Sequence, residues 1–326
     1  MKTFITPRML PALLVAVLPS LAQADPLPSW NAGHNKNAIV DFVEAVSDPT
    51  SDDFVPQQQR IAVFDNDGTL WGEQPAYFQL MYALDRASEA EPEQLTSELH
   101  QAAAEGDIET VLEAGEEGIQ ALLSLSHQEV SLDEFEEDVS DWLANATHPD
   151  TGRFYADMIY QPMLELLSYL RDSGFSTYIV SGGGLHFIRT FAEDVYGVPP
   201  QNVIGSTGGL EVKDLDSDPS LYKQEGDTWI NDGPLKIVSI ERHIGQRPIM
   251  AVGNSDGDVP MLIWTTQGDG PRLGVLVHHT DAEREVAYDR DSHIGRLADG
   301  LDQAEDRGWQ LIDMASDWQR VYPQAP

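Results

Sequence analysis

Two aspartates, Asp65 and Asp67, are the first residues of this 326-residue sequence whose type and spacing point to chemistry. They follow the apolar run Ile61–Phe64, which is typical of a buried strand. In an extended chain, residues two apart point the same way, so both carboxylates can reach one substrate. Two such carboxylates repel each other unless a proton or a cation lies between them. The alternative is a strand-ending Asx turn, which Asp-Asn-Asp-Gly would also satisfy.

Three later segments carry polar side chains at comparable places. Ser181-Gly-Gly-Gly184 joins a predicted strand to a predicted helix, where backbone N–H groups and a hydroxyl can bind a phosphoryl oxygen. Lys236 is one of only five lysines in the sequence, which favours a specific role over a place on the surface. Asn254, Asp256 and Asp258 bring three oxygen-bearing side chains into one turn, and hard ligands of this kind suit Mg²⁺.

Alternating strands and helices must position these segments. Apolar runs at residues 61–64, 177–180, 202–204, 248–252 and 274–277 are separated by helical patterns, apart from a polar stretch after the third run. This alternation predicts an α/β fold with a Rossmann-like parallel sheet that helices cover on both faces. The carboxyl ends of parallel strands meet at one edge of the sheet, so we expect the polar segments to converge there.

Residues 73–150 differ in composition from the rest. Ala, Leu, Glu and Gln dominate, and apolar residues recur at helical spacing. The segment has 20 acidic residues and one basic residue, Arg86. We therefore predict an inserted α-helical cap over residues 73–150, with the α/β core formed by residues 25–72 and 151–326. The polar stretch 206–233 predicts a hairpin-like excursion from that core.

The overall charge narrows the range of partners. The sequence has 19 Lys and Arg against 55 Asp and Glu, which makes a net charge of −36. Nucleic acids and anionic membranes need a basic surface, so we expect neither as a partner. The excess of hydrated carboxylates favours solubility at high salt and predicts a halophilic protein. The sequence has no cysteine, which excludes disulfides, a Cys–zinc site and a thiol nucleophile.

Residues 1–24 have the pattern of an export signal. Lys2 and Arg8 supply a positive start, an apolar run over 9–21 follows, and Ala22-Gln23-Ala24 is a small-x-small cleavage site. The apolar run is too short to span a bilayer, and a lipoprotein anchor would need a cysteine. We therefore expect a periplasmic or secreted protein without a membrane anchor.

Four short motifs of the sequence resemble those of the haloacid dehalogenase (HAD) superfamily, and they occur in the order found there. They are Asp65-Asn-Asp-Gly-Thr69, Ser181-Gly-Gly183, Lys236 and Gly253-Asn-Ser-Asp-Gly-Asp258. The following residues, Val-Pro-Met-Leu262, look most like the phosphoserine phosphatase branch. The resemblance implies a Mg²⁺-dependent phosphatase of small phosphomonoesters, with a Rossmann-like core and an inserted cap.

The resemblance also implies roles for the motif residues. Asp65 would be the nucleophile that forms an aspartyl-phosphate, and Asp67 would protonate the leaving oxygen and then activate water. Lys236 would neutralise charge on the nucleophile and on the transferring oxygens. Mg²⁺ would lie between Asp65, the backbone carbonyl of Asp67 and the last motif, where Asn254 and Asp258 are the candidate ligands.

Substrate contacts follow from the same resemblance. Ser181 and the backbone of Gly182 and Gly183 would bind the phosphoryl group. Phosphoserine phosphatases carry a glutamate shortly after the first motif, and Glu73 is the candidate here although Gln74 occupies the expected place. Phosphoserine specificity therefore does not follow. Acidic charge of the cap facing the site would favour a neutral or cationic leaving group, and the alternative is that this charge forms only an outer surface.

The last motif departs from the pattern of the phosphoserine phosphatase branch. Its first acid is the amide Asn254 here, and an extra acid, Asp256, follows two residues later. Asn254 with Asp258, or Asp256 in its place, could complete the metal site.

Other activities stay open at this point. A dehalogenase has no need of the second acid, Asp67, and a phosphonatase uses a cap lysine, which residues 73–150 lack. A non-catalytic ligand-binding protein of this fold is the third alternative, with Asn254 as a sign of lost catalysis. The other motif residues are all present, which favours an enzyme.

Overall fold

A computed structural model describes residues 24–127 and 130–324. The predicted export signal, residues 1–24, lies outside the described residues except for Ala24. The strands of the described chain form one sheet and are β1 (Ile61–Phe64), β2 (Ser176–Gly184), β3 (Val203–Lys213), β4 (Ser220–Trp229), β5 (Met250–Gly253), β6 (Leu273–His278) and β7 (Gln310–Asp313).

The sheet has seven strands in the order β4-β3-β2-β1-β5-β6-β7. All neighbouring strands run parallel except β3 and β4, which pair antiparallel. The α/β fold with a mostly parallel sheet is therefore confirmed. The polar stretch after residue 206 forms a true hairpin, and its second strand adds an antiparallel edge that the simple β-α alternation does not predict.

Helices cover both faces of this sheet. In the described residues they are α1 (His34–Ser47), α2 (Phe78–Ala87), α3 (Glu98–Ala104), α4 (Ile108–Glu113), α5 (Glu116–His127), α6 (Leu132–Asn145), α7 (Gln161–Asp172), α8 (Leu185–Tyr196), α9 (Pro234–His243), α10 (Val259–Thr266), α11 (Asp299–Arg307) and α12 (Met314–Asp317). None of the helices described is long and apolar enough to cross a membrane.

Strand β1 lies in the middle of the sheet and is buried on both faces. Ile61 and Val63 pack into one apolar cluster, whereas Ala62 and Phe64 pack into the other. Alternate side chains of a strand point to opposite faces, so four consecutive apolar residues supply both layers. The residue that follows Phe64 is therefore delivered to the carboxyl edge by a strand held from both sides.

Helices α2 to α6 form the helical insertion, and helix α2 divides it into two layers. Phe78 and Tyr82 lie on one face of α2 and join the main core cluster together with Trp142 of α6. The opposite face of α2, which includes Leu84, packs into a separate cluster with α3, α4 and α5. Spacings of three and four residues place each set on one side of the helix. The predicted domain limits, with a cap over 73–150, stay a prediction, since the inner layer shares the core.

Candidate active site

The four polar segments meet at the carboxyl edge of the sheet. Strand β1 lies between β2 and β5. The chain continues from β1 to β2 on one side and from β5 to β6 on the other, so the connections diverge and open a crevice between the ends of β1 and β5. Asp65 follows β1, Ser181 lies near the end of β2, and Asn254 follows β5. Lys236 reaches the same place from the first turn of α9. The expected convergence of these residues is what the structure shows.

Lys236 lies at the centre of the site between two carboxylates. Its Nζ donates to Oδ1 of Asp65 at 2.7 Å and to Oδ1 of Asp258 at 2.6 Å. All three side chains are buried. Burial by itself would lower the pKa of Lys236, but the attraction of Asp258 and Asp65 outweighs it and raises the pKa above the usual range. Lys236 is therefore a fixed positive charge beside the carboxylate of Asp65.

The second aspartate, Asp67, is held by different groups. The indole Nε1 of Trp71 donates to its Oδ1 at 2.9 Å, and the hydroxyl of Ser181 lies 3.4 Å from its Oδ2. Burial raises the pKa of Asp67, although the hydrogen bond from Trp71 acts in the opposite direction. A carboxyl group with a raised pKa is suited to carry and release a proton. The two aspartates of the first motif thus have different hydrogen-bond partners.

The glycine-rich loop after Ser181 has a defined conformation. The N–H of Gly183 donates to the Ser181 hydroxyl at 2.9 Å, and the N–H of Gly184 donates to Oε1 of Gln79 at 2.6 Å. Gln79 belongs to α2, so the helical insertion contacts this loop directly. Gly182 contributes its carbonyl, which accepts from the Ser206 hydroxyl of the hairpin at 2.7 Å. The loop therefore lies between the hairpin and the insertion.

The last motif is organised chiefly by Asp258. Its Oδ2 accepts from the backbone N–H groups of Asn254 and Ser255 at 3.0 and 3.1 Å, while its Oδ1 contacts Lys236. Both carboxylate oxygens of Asp258 thus have protein partners. These contacts indicate that Asp258 positions Lys236 and the loop that follows β5. The metal-ligand role of Asp258 stays a prediction. Asp256 turns away from the site, because its Oδ1 accepts from backbone N–H groups at the start of α11.

Residues 62–262 match the family of haloacid dehalogenase-like hydrolases. The chain belongs to this family. The matched region contains all four motifs, from Asp65 to Asp258, and therefore all of the contacts described so far around Lys236. No curated protein matches the sequence.

Solved structures resemble this haloacid dehalogenase-like hydrolase over most of its length. A conserved protein of unknown function from Anaerococcus prevotii DSM 20548 covers 91% of the chain and 98% of its own, with 16% identity and a TM-score of 0.57. A protein of unknown function from Bordetella pertussis Tohama I covers 78% and 99%, with 17% identity and a TM-score of 0.51. Identities this low show a shared fold and nothing about the reaction.

The hydrolase has more buried negative than positive charge at its site. Asp65, Asp67, Glu73 and Asp258 are buried at the site, and Lys236 is the one buried lysine among the residues that the structure describes. Burial and the repulsion of Asp258 raise the pKa of Asp65 well above its usual range, although Lys236 opposes this. Burial likewise raises the pKa of Glu73 well above its usual range. Such an arrangement takes up protons or a cation, so the charge of the donor set fits a divalent metal.

The donors for such a cation are of mixed type. In the described ranges, no three His, Cys, Asp or Glu side chains lie together as a metal site. Oδ2 of Asp65 has no hydrogen-bond partner among the described residues, and Oδ1 of Asn254 accepts only the hydroxyl of Thr69, at 2.9 Å. A carbonyl oxygen has two lone pairs, so Asn254 can still act as a ligand. A metal here would need amide and backbone oxygens besides carboxylate.

Glu73 lies next to the site, but its side chain is buried and hydrogen-bonded within the protein. The side chain is only 1% exposed, and its Oε1 accepts from Nδ2 of Asn254 at 2.7 Å and from the hydroxyl of Tyr288 at 2.6 Å. A contact between Glu73 and substrate stays a prediction. Tyr288 is a site residue that sequence reasoning did not identify, because it follows no strand and belongs to no motif.

His279 is a second residue that supports the first motif. Its Nε2 lies 2.7 Å from the carbonyl oxygen of Gly68, to which it donates, and its ring stacks on Tyr288 with centroids 4.4 Å apart. Gly68 has a positive φ of 71°, and a Cβ at this position would collide with Asn254 and Glu73. The only sequence signal for His279 is its place directly after β6, at the same edge of the sheet.

Proposed function

We propose that this hydrolase is a phosphatase of small phosphomonoesters that works through an aspartyl-phosphate on Asp65. The observation that carries the proposal is the buried contact of Lys236 with Asp65 and Asp258, beside a second aspartate with separate partners. An ionised aspartate approaches a dianionic phosphate only if fixed positive charge offsets their repulsion. Lys236 supplies part of that charge at the required carboxylate.

The two aspartates divide the reaction between them. A carboxylate oxygen of Asp65 forms a bond to phosphorus as the bond between phosphorus and the leaving oxygen breaks, and Asp67 gives its proton to that oxygen. In the second half, Asp67 takes a proton from water, the water oxygen attacks phosphorus, and the acyl-phosphate bond of Asp65 breaks. The raised pKa of Asp67 has the direction that the first task requires, because an acid must hold its proton before it can donate it.

The phosphoryl group would be bound opposite Asp65 by the loop after β2. Ser181 has a hydroxyl within the site, and Gly182 and Gly183 can present backbone N–H groups once a phosphoryl oxygen competes for them. Because the Ser181 hydroxyl also contacts Asp67, the same side chain links phosphate binding to the proton donor. We assign Ser181, Gly182 and Gly183 to substrate binding on this basis.

We also propose Mg²⁺ as the cofactor, held by Asp65, the backbone carbonyl of Asp67 and Oδ1 of Asn254. When bound, the ion would supply Lewis-acid charge that favours ionised Asp65 and neutralises phosphoryl oxygens. The excess of buried carboxylates over lysine supports this proposal. Asp258 would act through Lys236 rather than as a direct ligand.

The substrate proposal is a small ester with a neutral or cationic leaving group. Asp232, an exposed residue at the start of α9, lies close to Gly182 and Gly257, so a further negative charge stands beside the phosphate loop. Gln79 of the insertion contacts the same loop, which brings the acidic insertion close to the proposed phosphate site. A polyanionic substrate would meet Asp232 and the acidic insertion together.

The experiment is hydrolysis of an aryl phosphate by the purified protein with Mg²⁺, with a chelator, and after Asp65→Asn. We expect turnover with Mg²⁺, loss with chelator, and a fall of roughly 10⁴-fold or more in the variant. Asp52→Asn, in an exposed loop, is the matched control and should keep full activity. Turnover that ignores the chelator, or no turnover on any phosphate ester, would reject the proposal. Activity on a phosphonate or a haloacid instead would favour the related hydrolases of other specificity.

We further propose that the protein is exported and that cleavage after Ala24 produces the mature chain. The basis is the charge, apolar run and small-x-small pattern of residues 1–24. Sequencing the amino terminus of the protein from the periplasm or medium of its producing cells should find Asp25 first. An uncleaved chain confined to the cytoplasm would contradict this.

A further inference from the structure

Asn254 has an amide whose two ends are held by different partners. Its Nδ2 donates to Oε1 of Glu73 at 2.7 Å, and its Oδ1 accepts from the hydroxyl of Thr69 at 2.9 Å. The side chain is only 1% exposed. Because one end of an amide donates and the other accepts, these contacts define which end meets the hydroxyl of Thr69, while Nδ2 lies beside Gly68 and Glu73. That end is the oxygen.

Glu73 is itself held rigidly. The hydroxyl of Tyr288 donates to its Oε1 at 2.6 Å, and the carboxylate fits against the bare Cα atoms of Gly68 and Gly295, where a Cβ would collide with it. Gly68 and Gly295 both have positive φ angles, of 71° and 64°, so neither place suits a larger residue. The carboxylate of Glu73 is therefore held between Asn254 and Tyr288, in space that two glycines leave open.

The orientation of the amide matters because only its oxygen can bind a cation. If the amide turned over, Nδ2 would take the place of Oδ1 beside Thr69, and a hard cation there would meet an N–H₂ group. Glu73, whose Oε1 accepts from Nδ2, opposes this turn, because a flipped amide would set two oxygens against each other. Partners behind a metal ligand commonly have this function, and their loss typically weakens metal binding 10–100-fold.

We propose that Glu73 is a positioning residue that orients the amide of Asn254, with Tyr288 holding Glu73, so that Asn254 Oδ1 is presented to Mg²⁺. The proposal rests on the Mg²⁺-dependent phosphatase function proposed above. It replaces the substrate contact predicted for Glu73 from the sequence, since Oε1 of Glu73 already receives two hydrogen bonds within the protein.

The main experiment measures Mg²⁺ binding by titration calorimetry without substrate. Glu73→Ala removes the acceptor and should weaken Mg²⁺ binding about 10–100-fold. Tyr288→Phe removes one hydrogen bond from Glu73 and should have a smaller effect in the same direction. Glu165→Gln is the matched control, because Glu165 also accepts hydrogen bonds but lies on α7, away from the site. The Mg²⁺ affinity of this variant should equal that of the wild type.

The double variant Glu73→Gln/Asn254→Asp, called the reversed pair, separates the orientation of the amide from a general loss of structure. Asn254→Asp alone sets two carboxylates against each other, and Glu73→Gln alone removes the charge. In the double variant, the amide at 73 can donate to the carboxylate at 254, so the bond exists with its direction reversed. We expect the double variant to bind Mg²⁺ at least about tenfold more tightly than the two single effects combined would predict. Thermal unfolding of each variant confirms that it is folded.

The outcomes distinguish this proposal from the function on which it rests. Wild-type protein that neither binds Mg²⁺ nor hydrolyses phosphate esters would overturn the function. If the wild type binds Mg²⁺ and Glu73→Ala binds it with the same affinity, the positioning role alone is overturned. Strictly additive effects on Mg²⁺ affinity in the reversed pair would overturn it as well. Glu73→Gln that leaves Mg²⁺ affinity intact but raises KM only for cationic esters would assign Glu73 to substrate binding and also overturn it.

Discussion

The site at the sheet edge and the outer helices of the insertion use the same residue types for opposite purposes. At the site, buried carboxylates have named partners, and Asp65 and Asp258 share Lys236. Residues 73–150 carry 20 acidic residues with Arg86 as their one basic residue, so most of their carboxylates face water. A carboxylate in water needs no partner, whereas a buried one does. The acidic residues of the insertion therefore keep its surface hydrated, whereas the buried carboxylates of the site depend on one lysine, Lys236.

Lys236→Met tests this comparison most severely. It leaves Asp65 and Asp258 buried without their cation, and we expect the free energy of unfolding to fall by about 3–5 kcal/mol. Urea denaturation measures the change. Adding Asp258→Asn, which removes one of the unpaired charges, should restore part of the loss. A Lys236→Met protein as stable as the wild type would show that the carboxylates do not depend on the lysine.

Lys223→Met probes the place where the hairpin of β3 and β4 meets α6. Nζ of Lys223 lies 3.5 Å from the ring centroid of Phe135, and burial lowers the pKa of Lys223 to about 8 from 10.5. Between these values the unfolded chain binds a proton that the folded chain does not. The stability conferred at this position therefore rises with pH across that window.

The measurement is the difference in unfolding free energy between wild type and Lys223→Met from pH 7.5 to 10.5. We expect the wild type to gain roughly 1–3 kcal/mol relative to the variant over this range. Taking the difference removes the contribution of the other titrating groups. A constant difference would show that Lys223 keeps its usual pKa in the folded protein.

Added salt should stabilise mainly the outer helices of the insertion, α3, α4 and α5. The apolar cluster shared by α2, α3, α4 and α5 is separate from the main core, and the surrounding surface is strongly acidic. We expect amide hydrogen exchange in α3 to α5 to be faster than in β1 and β5 at low salt and to slow as NaCl screens the repulsion. The melting temperature should rise with NaCl for the same reason. A flat melting temperature up to molar salt would reject the halophilic interpretation.

Arg86→Met should have the smallest effect. Arg86 contacts Asp138 at 3.0 Å and Glu89 at 3.3 Å, but its side chain is 28% exposed and those of its partners more so. Ion pairs near the surface contribute below about 1 kcal/mol, and we expect a change in unfolding free energy within that range. A loss as large as that of Lys236→Met would remove the distinction between the two regions.

The sequence by itself determined that the polar segments lie at the ends of strands. Ile61–Phe64 is apolar at every position, as a strand buried on both faces must be, so Asp65 had to emerge at an edge of the sheet. The scarcity of lysine similarly singled out Lys236, and the helical spacing over residues 73–150 indicated the insertion. Each of these signals is local, because periodicity and composition report on neighbouring residues.

Only the tertiary structure decided which oxygen meets which partner. Asp258 is one of three oxygen-bearing side chains in a single turn, and nothing in that turn shows that it would contact Lys236 while Asp256 would turn toward α11. Glu73 and Asn254 are 181 residues apart, and Glu73 and Tyr288 are 215 apart. Contacts over such separations depend on how the strands are ordered and how the loops cross their ends, and no local pattern of residue types encodes that arrangement.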